Sequence, residues 1–176
     1  MGIKNYLIDG VSCAGKTTVC DALQRRGYHA IHGDRELAYW GNQHSGAPVD
    51  GSADADRAWI WDVAQVRALV ADHTHAATFF CGGSRNADRF IGLFDAVFVL
   101  AIDWDTLNQR LAARPETAWG GTAREGESFA RFQQATKAGL PKNAIIIDAT
   151  APLAHVVNNI LVHANEGSLK KIGVRD

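Results

Sequence analysis

At 176 residues and 19.0 kDa, the chain is sized for about one globular domain, which excludes a TIM barrel or a two-domain dehydrogenase. Hydrophobic residues make up 47% and charged residues 21%, with 18 Lys+Arg against 19 Asp+Glu and a formal net charge of -1. That balance provides for a core and argues against a nucleic-acid coat or a basic membrane binder. Three cysteines, Cys13, Cys20 and Cys81, without CxxC spacing, point to reduced thiols rather than a disulfide frame.

The first ten residues lack the apolar core of a signal peptide, and Tyr6 stands where a myristoylation signal needs Ser or Thr. The longest apolar stretch, Phe94 to Ile102, is interrupted by Asp95 and is less than half of the ~20 residues a membrane span requires. The expectation is a cytoplasmic protein with neither membrane nor nucleic acid as partner. Oligomeric state is not readable.

In chain order, short β-like runs alternate with helix-like segments, the pattern of a parallel sheet between helical layers. The strand candidates are Ile3 to Asp9, Tyr28 to His32, Ala77 to Cys81, Ala96 to Ile102 and Ala144 to Asp148, each apolar enough for burial on both faces. Between them, Lys16 to Arg26 reads as a helix stopped by Gly27. Asp54 to Asp72 reads as a longer helix, with Trp59, Val63, Val66 and Val70 at helical spacing. Thr106 to Arg114 follows a cap at Asp103 or Asp105 and stops before Pro115; Glu125 to Ala138 carries Phe129 and Phe132; Pro152 to Val162 opens with proline. Gly41 to Ala53 and Pro115 to Gly121 break the pattern as insertions on the substrate side, and the end from Glu166 reads as a frayed tail.

Gly10-Val11-Ser12-Cys13-Ala14-Gly15-Lys16-Thr17 satisfies G-x-x-x-x-G-K-[ST] after a strand and at the start of a helix. Backbone amides of such a loop converge on phosphate oxygens at the positive end of the helix dipole. The phosphate-binding set is therefore Gly10, Ser12, Cys13, Ala14, Gly15, Lys16, Thr17 and Thr18. Lys16 bridges the β and γ phosphates, and the Thr17 hydroxyl is the expected Mg²⁺ ligand. The implied cofactor is Mg²⁺ with ATP as donor. Cys13 reads as a small loop-filling side chain or a redox-sensitive thiol, and Asp9 as a structural or a directly catalytic residue.

From Ile3 to Val162 the sequence resembles the small P-loop kinases, among them nucleoside monophosphate kinases, shikimate kinase and gluconate kinase. The points of likeness are the phosphate loop, His32-Gly33-Asp34 after the second strand, Cys81-Gly82-Gly83-Ser84-Arg85 after the third, and Arg110 and Arg114 leading into a lid after the fourth. Ile147 to Leu153 matches the passage from last strand to last helix. The resemblance implies a three-layer α/β P-loop NTPase fold with a five-stranded parallel sheet and helices on both faces. It implies one kinase domain over residues 1–165, with an acceptor-binding insertion at about 34–72, a lid at about 110–124 and a tail at 166–176. It further implies a kinase with a nucleoside triphosphate and a small-molecule acceptor as partners. A nucleotide-binding regulator or weak ATPase is the reading from another class, since His32 stands where shikimate kinases have a second aspartate and the third strand ends without an acidic residue.

Catalytic candidates are Lys16, Asp34, Arg110 and Arg114. Asp34 either orients the acceptor or caps a helix over Arg35 to Trp40. Arg110 and Arg114, four apart, share a helix face and either close on the phosphoryl group or pair with Asp105 and Glu116. Acceptor-binding candidates are Asp34, Arg57, Gly82, Gly83 and Arg85. The turn at Gly82 resembles that of adenylate kinases, whereas Gly46 to Asp50 and Asp54 to Trp59 resemble a gluconate-kinase stretch. Asp34 to Asp62 carries six acids against two bases, which fits a weakly charged acceptor or a solvated face. Trp40, Trp59 and Trp61 read as core or as stacking surfaces.

Overall fold

The computed structural model describes residues 3–50, 55–113 and 140–169, the last four as backbone only. All five expected strands form, as β1 (Lys4–Gly10), β2 (His29–His32), β5 (Ala77–Cys81), β6 (Ala96–Ala101) and β7 (Ala144–Asp148). They make one parallel sheet in the order β2-β5-β1-β6-β7. The chain leaves the central β1 through α1 (Lys16–Arg25) toward β2 and later fills the other side with β6 and β7. The winding therefore reverses at the carboxyl end of β1, where an open α/β sheet leaves a crevice for ligands.

Alternation along each strand assigns side chains to two cores. Tyr6, Ile8, Phe79, Phe98 and Leu100 pack with Val19 and Leu23 of α1 and with Val157 and Ile160 of the last helix, α5 (Leu153–Leu169). Leu7, Phe80, Val97 and Val99 face the opposite way, onto Trp61, Phe90 and Val66 of α3 (Val63–Val70). Burial on both faces explains why β1, β5 and β6 read as nearly continuous apolar runs, whereas the edge strand β7, expected to be buried likewise, leaves Ile146 57% exposed. α4 (Trp104–Ala112) begins two residues earlier than expected, and of the two possible caps Asp103 is the one used, accepting the Thr106 amide at 2.7 Å.

Three local expectations are corrected. The helix expected over Asp54 to Asp72 is instead strand β4 (Arg57–Trp61) followed by α3, and β4 pairs antiparallel with β3 (Ala38–Asn42). The valines do lie on α3, but Trp59 belongs to a strand whose partner is about twenty residues earlier. The helix considered over Arg35 to Trp40 is only the four-residue α2 (Gly33–Glu36). The last helix starts after Pro152 as expected but continues to Leu169, so the supposed tail begins helical. The helix expected at Glu125 to Ala138, Arg114, and the lid beyond Ala113 lie outside the described residues. No helix among the described residues is long and apolar enough to cross a membrane.

The hairpin is fastened to the segment after β5 by hydrogen bonds between a side chain and the backbone. Asn86, 1% exposed, accepts the Trp61 amide at 3.1 Å and donates its own side-chain N–H to the Trp61 carbonyl at 3.0 Å. The Trp61 indole, fully buried and stacked on Phe90 at 5.5 Å between ring centroids, then occupies the space over Gly33. A β-carbon on Gly33 would fall 2.0 Å from Trp61 Cζ2. Helix propensity favours alanine there by about 1 kcal/mol, but overpacking a closed core costs about 1–3 kcal/mol. Gly33→Ala is therefore expected to lower the urea midpoint of unfolding and to alter the near-ultraviolet dichroism of the tryptophans. An unchanged midpoint would contradict this packing.

Candidate active site

The loop Gly10–Lys16 leaves β1 in the crevice and turns directly into α1. Gly15 holds φ 102, a left-handed conformation open to glycine, and Cys13 also sits in that region at φ 61. No side chain caps α1, so its first-turn amides have neither an intrahelical partner nor a capping oxygen and point toward the crevice. The Lys16 ammonium donates to the Gly10 and Val11 carbonyls at 2.8 and 2.9 Å. This is a cradle for an anion, with a cation and the helix dipole at its rim. The Ser12, Cys13, Ala14, Thr17 and Thr18 side chains or backbones line the same cleft.

Opposite the loop, Asp34 Oδ1 accepts two hydrogen bonds, from Trp61 Nε1 at 3.3 Å and from the Gly83 amide at 3.2 Å. Its role as a helix cap does not materialise, because it lies inside α2 and accepts from the hairpin and from the turn after β5. That turn must be bare. A β-carbon on Gly82 would fall 2.7 Å from Asp34 Oδ1, and one on Gly83 would fall 2.9 Å from Asp9 Oδ1. The two glycines thus thread between two carboxylates, one from β1 and one from α2.

The remaining sequence candidates divide. Gly83 and Arg85 line the cleft together with Arg35 and Ser84, whereas Arg57 does not line it. The Arg57 guanidinium lies instead 3.8 Å over the ring of Trp40. Arg110 lines the donor end, but its guanidinium is spread over three carbonyls, those of Cys13 and Ala14 at 3.1 Å each and of Ala149 at 2.6 Å. It ties the phosphate loop to the residue that follows β7. Arg35 and Arg85 enter no ion pair among the described residues, where the pairs are Lys4 with Asp95, His32 with Asp21 and His44 with Asp56. His32 is drawn to α1 by Asp21, 3.0 Å away.

The acidic balance of residues 34–62 does not produce an acidic pocket. Asp62 caps α3 through the Ala64 and Gln65 amides, Glu36 accepts the His32 amide, and Asp56 lies 3.6 Å from His44. Of the acids in that segment that are described, Asp34 is the one on the cleft wall, beside two arginines. At the end of β5, Cys81 takes the place of an acidic residue. Desolvation and the neighbouring Cys20 thiol hold its pKa well above the ordinary thiol value, so it is an inert packing residue. Among the described residues no group of three or more His, Cys, Asp or Glu is placed to hold a metal. Asn86 and Arg35 escaped assignment from sequence, and of the two readings for the tryptophans the structure puts Trp40 and Trp59 on the cleft wall and Trp61 in the core. Asn86 follows the glycine turn closely enough to have been suspected, but its partner, the Trp61 backbone, is visible only once the hairpin is known.

Residues 7–129 match the family model described as an AAA domain. No curated protein matches the sequence. Among solved structures, an unliganded sugar kinase from Janibacter sp. is similar with a TM-score of 0.56 and 19% identity, covering 92% of this chain and 94% of its own. A gluconokinase from Sinorhizobium meliloti has a TM-score of 0.56 at 17% identity, with 98% of each chain covered. A deoxyadenosine kinase from M. mycoides, with bound dATP, has a TM-score of 0.56 at 13% identity, covering 92% of this chain and 99% of its own. At these identities the likeness establishes a shared P-loop α/β fold.

Asp9, read from sequence as structural or directly catalytic, lines the cleft at the end of β1 and accepts the Gly10 amide at 2.7 Å. Burial pushes its pKa above the ordinary carboxylate value, and the Lys16 charge and the Gly10 amide offset that only in part. A carboxyl group whose native pKa is raised penalises the folded state above that pKa and is neutral in both states below the unfolded value of 3.8. Asp9→Asn keeps the oxygen that accepts from Gly10. It is therefore expected to melt higher than wild type at pH 7, with the difference closing as the pH falls toward 3.8. A pH-independent difference in thermal scans would show that the ionised carboxylate carries no such penalty.

Proposed function

The chain belongs to the AAA-domain family, and from that premise we propose that it is an ATP- and Mg²⁺-dependent small-molecule kinase. It would transfer the γ-phosphoryl group to an acceptor hydroxyl or phosphate. The observation that carries this reading is the two-sided cleft, with an anion cradle at one wall and the Asp34 carboxylate at the other. At about 1480 Å³ it exceeds the ~300–1,000 Å³ of a pocket for one drug-sized ligand, which suits a donor and an acceptor held together.

In this reading the loop amides and Lys16 hold the donor phosphates. Thr17 follows Lys16 in the first turn of α1, and its hydroxyl is the hard oxygen donor suited to Mg²⁺, with phosphate oxygens and water as further ligands. When bound, that ion supplies neutralisation of the phosphate charge. Asp34, aligned by two donors on one oxygen, orients the acceptor hydroxyl and takes its proton. Arg35 and Arg85 add positive charge around the moving phosphoryl group. Arg110 acts from behind, fixing the loop through the Cys13 and Ala14 carbonyls, and Arg114 keeps its proposed part in the lid. Gly82 and Gly83 serve the acceptor side by letting the turn pass between Asp9 and Asp34. Arg57 serves it by backing Trp40. A hydroxy acid is the second acceptor reading, supported by the likeness to a gluconokinase. We further propose one catalytic domain over residues 1–165 and a cytoplasmic setting.

Lys16→Ala is expected to lower phosphoryl transfer at least about 100-fold, since it removes a charge aimed at the transferring group, while far-ultraviolet dichroism stays that of the wild type. Transfer is read by the mass of acceptors incubated with ATP and Mg²⁺ in a panel of nucleosides, nucleotides and sugar acids. A product heavier by one phosphoryl group supports the kinase. ADP release that no acceptor stimulates, with no phosphorylated product, would overturn it in favour of a regulator or weak ATPase. Full transfer by Lys16→Ala would overturn the site assignment.

A further inference from the structure

We propose that Trp40 and Trp59 form a stacking wall in the acceptor half of the cleft and that the acceptor is nucleoside-like, with a planar base on the indoles and a sugar hydroxyl presented to Asp34. The inference rests on the phosphotransfer reading above and narrows it to a substrate class.

The register of the hairpin carries the argument. Ala38 pairs with Trp61, Trp40 with Trp59, and Asn42 with Arg57. In an antiparallel pair these alternate positions share one face. Trp61, at the inner end of that face, is buried and holds Asp34 through its indole N–H. One step outward, Trp40 and Trp59 meet edge to face, with centroids 5.1 Å apart, and both line the cleft. The guanidinium of Arg57, one further step out, lies 3.8 Å over the Trp40 ring, a cation–π contact that fixes the indole from behind. A wall built this way is rigid before any ligand arrives, because each indole is held by a cross-strand neighbour.

Spacing then selects among acceptors. Two residues along an antiparallel strand span about 7 Å, so the indole wall stands one such step beyond the residue that grips the carboxylate. A monosaccharide or sugar acid with a hydroxyl at Asp34 brings only aliphatic C–H and hydroxyl groups to the wall and offers the indoles no planar π face. A nucleoside interposes its sugar between the 5′-hydroxyl and a planar base, and so can occupy both places. Base-on-indole stacking tolerates any base because each has a π face. The wall therefore sets the class of acceptor and leaves the choice of base to other contacts.

The test uses the full chain with adenosine and cytidine as ring-bearing probes and with ribose and gluconate as probes lacking a base. Two readouts are taken, quenching of tryptophan fluorescence without ATP and steady-state transfer with ATP and Mg²⁺. Wild type is expected to be quenched by the nucleosides and to phosphorylate them. Trp40→Leu and Trp59→Leu should each raise the nucleoside KM about 10- to 100-fold, with much smaller changes in kcat and in the KM for ATP. Trp40→Phe should restore most of the affinity, which separates lost stacking from a disturbed hairpin. Trp104→Leu, outside the cleft, is the control.

Turnover of ribose or gluconate as efficient as that of the nucleosides, or Leu variants with an unchanged nucleoside KM, would overturn the stacking wall while leaving the kinase intact. Nucleoside quenching that the Leu variants lose, without any phosphorylated product, would support the wall and sink the kinase reading instead. Absence of both quenching and transfer with nucleosides would overturn the wall.

Discussion

Asp34 Oδ1 is the point at which three separately formed pieces of the molecule meet. Its carboxylate rides on the short turn of helix after β2, and it is held by the Trp61 indole of the hairpin and by the Gly83 amide of the turn after β5. Hydrogen bonds to an ionised acceptor are stronger than neutral ones, and two on one oxygen set its direction. Loss of the carboxylate would leave a buried indole N–H and a turn amide without their acceptor. The position of the hairpin against the sheet, and hence the shape of the acceptor half of the cleft, depends on that fork and on the Asn86 clamp beside it.

The donor half is organised by a different balance. A loop that aims its amides inward necessarily aims some carbonyls outward, and Arg110 collects those of Cys13 and Ala14 while reaching to Ala149. Lys16 faces the loop from the other side, on the Gly10 and Val11 carbonyls. Two cations thus hold the backbone in a conformation that includes left-handed Cys13, offsetting a local cost of about 1–2 kcal/mol. The arrangement shows why an arginine that looks like a lid residue in sequence serves first as a brace here. Its helix follows β6, next to β1 in the sheet, and the phosphate loop is within reach of its side chain.

The acceptor side was harder to read in sequence for a physical reason. Residues 57–61 pair with residues 38–42 across a loop, and strand pairing of that kind leaves no local signature beyond alternation. Four apolar residues in a row, Ala58 to Trp61, next to three valines at helical spacing are easily absorbed into a helix. The charge of the segment misled in a similar way, since a count of acids says nothing of which ones cap α3, answer a backbone amide or face a histidine. Asp34 was legible because it follows a strand on the phosphate-loop side of the sheet. Asn86 was not, and Trp40 and Trp59 stayed between core and stacking surface, because their roles depend on partners distant in sequence.

The sequence by itself determined the five-stranded parallel sheet and the phosphate loop. Strands buried on both faces must be apolar along their whole length, and an anion cradle needs glycines, a lysine and a helix start within eight residues, so both are local requirements. Only the tertiary structure decided that a β-hairpin forms the second wall, that Arg57 backs a tryptophan, that Arg110 braces the loop and that, among the described acids of residues 34–62, Asp34 meets the cleft. Those outcomes turn on which side chains meet across the chain, and such meetings are set by register and packing between elements that the sequence presents far apart.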